Sequence, residues 1–169
     1  VLKIKLTYYK FIYYFLWILG LAALQSTLLN HVRIFGVSPN LLVIFVVCVA
    51  ILSGSPVESA IVGFIAGFLF DFMTGHSVGV SMLLLMYAGV LNGLIFKRIL
   101  TRKYFGILAT VFITSFAFYF LYYSMTFLIW GQGNLIYALT RVIVIGTVYN
   151  TVICVPIYAL VKRRYRQNV

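Results

Sequence analysis

The sequence predicts an all-α integral membrane protein, a bundle of six transmembrane helices. Three observations lead there. Hydrophobic residues make up 64% of the 169-residue chain and its mean hydropathy is +1.10. Charged residues make up 9%, where a soluble domain carries about 25%. The acids are just Glu58 and Asp71, within or at the edge of apolar stretches, while most of the thirteen Lys and Arg lie between such stretches.

Crossing the hydrocarbon core takes roughly 20 mostly apolar residues. The first segment, about 11–29, follows Lys3, Lys5 and Lys10 and imitates the start of a signal peptide. Its apolar run is long, and Leu24-Gln25-Ser26 is a poor cleavage site, so it reads as the first membrane helix. The second, about 40–53, is short for a span and also admits a re-entrant hairpin with the third, about 56–74. The fourth covers about 78–96, the fifth 104–130 and the sixth 134–161. Gly36–Pro39, Ser53-Gly54-Ser55-Pro56, Gly75-His76, Lys97–Lys103 and Gly131–Asn134 separate them with turn and helix-end chemistry. Every connection is short, so the expectation is one integral membrane domain over 1–169.

The charges orient the bundle. With the N-terminus inside, cytoplasmic regions hold Lys3, Lys5, Lys10, Lys97, Arg98, Arg102, Lys103, Lys162, Arg163, Arg164 and Arg166, whereas the outer connections hold Arg33. Eleven to one places both termini in the cytoplasm. The net charge of +11 is thereby used in orientation and in contact with membrane lipids, and nucleic acid is not expected as a partner. Cys48 and Cys154 lie in apolar runs at depths that, on this topology, differ; both read as small packing residues.

Segment three carries the clearest pattern. Ser59, Gly63, Gly67 and Asp71 recur every four residues and so share one helix face, and Gly75 and Gly79 continue the spacing. Such a groove of small residues serves either internal packing or contact with another chain. Asp71, near the outer end, needs a partner in the membrane; Arg141 of segment six falls at a similar depth, so a structural ion pair is expected. Glu58, in the first turn of segment three, suits a helix N-terminus and reads as a solvated cap. Asn92 and Asn150 are expected to bridge segments four and six. The aromatic fifth segment places Tyr122, Tyr123 and Trp130 toward the outer interface.

Chemistry is sparse. Glu58 and Asp71 fall at opposite faces and cannot act as an acid–base pair, and no HExxH, GxSxG or phosphate-loop motif occurs. No catalytic residue, metal site or cofactor is expected.

Pro39-Asn40 opening an aliphatic run, Gly54-Ser55-Pro56 as a turn, and Gly63-Phe-Ile-Ala-Gly67-Phe-Leu-Phe-Asp71 followed by Gly75 and Gly79 resemble the bacterial rod shape-determining family MreD. The resemblance is carried by residues 39–96, with length and layout agreeing beyond them; many members have Asp where this chain has Asn40. It implies a non-enzymatic scaffold of the cell-elongation machinery in the bacterial plasma membrane. The partners implied are an MreC-like bitopic protein and, indirectly, MreB-like and RodA/transpeptidase components; a homo-oligomer is also open. It further implies a fold similar to the S components of energy-coupling-factor transporters, which leaves a substrate-capture subunit for a vitamin-type molecule as the alternative function.

Overall fold

The computed structural model describes residues 2–27, 37–75, 79–99, 104–130 and 142–168. They form six helices: α1 (Leu2–Thr27), α2 (Leu41–Ser53), α3 (Pro56–Thr74), α4 (Val80–Ile99), α5 (Tyr104–Trp130) and α6 (Val144–Asn168). Three of them contain stretches long and apolar enough to cross a membrane: Pro56–Thr74, Phe105–Leu128 and Val144–Arg163. Leu41–Ser53 and Val80–Ile95 are shorter apolar helices.

Caps explain the boundaries of α2 and α3. Asn40 sits in extended conformation before α2, and its Oδ1 accepts the Val43 N–H at 3.3 Å. Gly54 closes α2 in the left-handed region at φ 58°, donating to Ala50 O at 3.1 Å. Ser55 then caps α3, accepting the Glu58 N–H at 3.4 Å, and Pro56 occupies the first turn. Gly75 ends α3 at φ 66°.

Packing follows from what each helix has to hide. α2 is apolar all round, and Leu41 to Ile51 are all buried, as a helix without a polar face must be. Its thirteen residues rise only about 20 Å, and α1, α3, α4, α5 and α6 all pack on it. α3 shows the reverse of a soluble helix. Its small residues Ser59, Gly63, Ala66 and Gly67 are buried, while Phe64, Phe68 and Phe72 stand exposed at 44%, 49% and 78%. Large apolar side chains outside and small ones inside suit a lipid surround, where helices associate by close approach.

Candidate functional site

The stripe on α3 faces α4 of the same chain. A Cβ built on Gly63 would lie 2.2 Å from the Leu85 carbonyl oxygen, and one on Gly67 would lie 2.4 Å from Met82 Cα. α4 answers with its own glycines: Cβ atoms at Gly89 and Gly93 would meet Ser59 O at 2.3 Å and Pro56 Cα at 2.9 Å. The two backbones therefore touch along the whole groove, and α4 occupies the space that another chain's helix would need. Ser59 Oγ turns back to Ser55 O at 2.8 Å and lies 3.3 Å from Ser53 Oγ, which pins the α2–α3 corner.

Asp71 ends the stripe and is 1% exposed. Its carboxylate receives three backbone N–H groups from the start of α4: Gly79 at 2.7 Å and Met82 at 3.2 Å on Oδ2, and Ser81 at 3.1 Å on Oδ1. The first N–H groups of a helix have no partner within it, and its N-terminus favours negative charge. A buried carboxylate thus meets its hydrogen-bond need from main chain. Arg141, the expected partner, lies outside the described residues, as do His31, Arg33 and His76.

At the opposite end of α3, Glu58 is more than a solvated cap. Lys10 Nζ lies 2.9 Å from its Oε1, and Tyr14 Oη donates to the same oxygen at 2.6 Å. These contacts tie α1 to the start of α3, with Glu58 at 17% side-chain exposure. The glutamate side chain reaches α1, and the Ser55 N–H goes to Ser53 Oγ at 3.3 Å.

A third polar cluster surrounds the start of α2. Asn150 of α6 accepts the Asn40 N–H at 2.8 Å and donates to Ser115 Oγ and Tyr119 Oη of α5 at 3.2 and 3.4 Å. Gln25 of α1 accepts the Leu41 N–H at 2.9 Å. Asn92 is bound to α5 as well, donating to Thr114 Oγ1 at 3.0 Å. The expected Asn92–Asn150 bridge is thus replaced by two separate links, because α5 packs against both α4 and α6. The two cysteines are free and buried in one core cluster, the packing role expected of them, but they are neighbours and not at different depths. The cysteines meet because the start of α2 is recessed. α2 begins level with Asn150, seven residues into α6, and not at the end of the bundle.

Among the described residues, no three His, Cys, Asp or Glu side chains come close enough to hold a metal ion. The polar groups present cap helices and join them. A family model described as rod shape-determining protein MreD matches residues 8–164, nearly the whole chain. No curated protein and no solved structure matches the chain.

Proposed function

The chain belongs to the MreD family of rod shape-determining proteins, and from that premise we propose that it is a non-enzymatic scaffold of lateral wall growth, holding an MreC-like protein by its single membrane helix. MreB-like and RodA/transpeptidase components join through that partner. The match over residues 8–164 carries this reading. The sparse polar groups support it, since Glu58, Ser59, Asp71, Asn92 and Asn150 each hold helices together.

The face for the partner follows from what the bundle leaves open. Between α4 and α5 runs a groove of about 310 Å³ lined by Leu84, Ala88, Leu91, Gly106, Ala109 and Ala117 among others. Its small residues on α5 permit close approach by one more helix. Its rim is apolar and outward-facing, with Tyr87 and Ile113 exposed at 60% and 66%. Depletion of the protein from a rod-shaped host is expected to round the cells, and the wild-type chain to restore them. Ala109→Trp should still reach the membrane yet lose both rescue and co-purification of the bitopic partner. Full rescue and full partner recovery by Ala109→Trp would remove the groove from the reading. Recovery of a second copy of the chain in place of a bitopic protein would replace the partner.

We place six crossings with both termini in the cytoplasm, on the basic asymmetry of the sequence. A cysteine introduced at Thr101, with Cys48 and Cys154 changed to alanine, is expected to resist an impermeant thiol reagent added to intact cells. It should react once the membrane is permeabilised. Labelling from outside would invert the topology.

A further inference from the structure

Where α2 begins, a cavity of about 270 Å³ lies among Gln25 of α1, Asn40, Phe70 of α3, and Tyr119, Tyr122 and Tyr123 of α5. On the orientation proposed above it belongs to the outer half of the bundle. Asn40 is 3% exposed, and its Nδ2 has no hydrogen-bond partner. The amide cannot be turned to relieve this, because Oδ1 already accepts the Val43 N–H at 3.3 Å and a flipped amide would set donor against donor. Neighbouring donors at this helix start are used: Asn40 N–H by Asn150 and Leu41 N–H by Gln25. Buried donors without acceptors are rare in folded proteins and call for an explanation.

The walls state what would satisfy it. Among the described residues no Asp, Glu, Lys or Arg lines the cavity, so this part of the wall offers a charged group no counter-ion. Phe118 and Tyr122 stack at 5.8 Å, and Phe70 stands edge-on to them at 6.1 and 5.9 Å, giving one wall an apolar aromatic character. Tyrosine hydroxyls and the glutamine amide each donate and accept, which matches hydroxyl groups better than a bare aromatic ring. The volume is slightly below the ~300 Å³ at which sites for drug-sized ligands begin, so the bound part is small.

We infer that this cavity binds a neutral, hydroxyl-bearing ring of monosaccharide size, with a ring or hydroxyl oxygen accepting the Asn40 Nδ2–H and the ring's apolar face against Phe118 and Tyr122. The observation is independent of the scaffold reading and stands or falls separately. Two sources carry that chemistry, a soluble sugar and the headgroup of a glycolipid.

The test uses the full chain in phosphatidylcholine nanodiscs. Free glucose is titrated from the aqueous phase, and in a parallel set monoglucosyl-diacylglycerol is included in the bilayer. Saturation transfer to sugar protons reads occupancy. Transfer to glucose identifies a soluble ligand; transfer to the lipid headgroup alone identifies a membrane ligand. Asn40→Ser keeps a good helix cap and removes the Nδ2–H, so affinity should fall roughly tenfold with the helical spectrum unchanged. Tyr123→Phe removes a lining hydroxyl from a side chain that stays in place, and serves if the Asn40 variant does not fold. Its affinity should fall several-fold. Transfer to neither sugar by the wild type overturns the inference and leaves water as the occupant. So does a folded Asn40→Ser protein that binds as well as the wild type.

Discussion

Gly67→Leu is expected to leave almost no folded protein. A Cβ there already lies 2.4 Å from Met82 Cα and 2.5 Å from Ser81 O, both main-chain atoms that cannot rotate aside. Overpacking a core typically costs about 1–3 kcal/mol even when side chains can shift, and here two helices must separate. Gly67→Ala should fall at the upper end of that range, and Gly63→Ala should match it, given 2.2 Å to Leu85 O. Gly20 is the control: nothing lies within 4 Å of its Cβ position, so Gly20→Ala should be neutral or slightly stabilising. Thermal unfolding in mild detergent, with the monodisperse fraction on size-exclusion, reads the difference. Equal stability of Gly67→Leu and Gly20→Leu would mean that α3 and α4 do not touch as described. Because the stripe is engaged within the chain, loss of partner binding in Gly67 variants reports unfolding and not a lost interface.

The second large effect is expected at Asp71. Asp71→Ala strips the acceptor from three N–H groups at the start of α4. Each buried donor left unsatisfied costs about 1–3 kcal/mol, so the folded fraction should drop steeply. Asp71→Asn keeps one acceptor oxygen and should fall between wild type and alanine. The ion pair with Arg141 is proposed as well, and the same series tests it. If the charges couple, Asp71→Asn with Arg141→Gln will be less impaired than the two single changes summed. Strict additivity would leave the main-chain amides as the whole reason for the carboxylate.

The residues that announced their own structure were those with a backbone task. Asn40, Gly54, Ser55-Pro56 and Gly75 mark helix ends, and α2, α3 and α5 begin and end within a residue of where those signals and the apolar runs put them. The four-residue stripe was legible as a groove, but its occupant was not. The complementary glycines of α4, Gly89 and Gly93, are also four apart, and pairing the two stripes was the available signal. Asp71 was legible as needing a partner, yet main-chain N–H groups leave no side-chain signature; Gly79, eight residues on, was the nearest hint. Depth counted from the membrane surface misplaces Cys48 relative to Cys154, although their packing role was legible, and it could not show that α5 separates Asn92 from Asn150. Sequence hydropathy does not reveal that a fully apolar helix starts inside the bundle.

That recessed start also sets a timetable. Asn40 N–H waits for an acceptor 110 residues further along the chain. At a synthesis rate of about 5–20 residues per second, translation needs on the order of 5–20 s to deliver it. During that interval the nascent chain holds a hydrophobic helix whose first polar group is still unmatched, so α6 completes a helix made long before it. The start of α2 is therefore completed only once α6 has been made, and a ribosome that stops short of Asn150 leaves that start open.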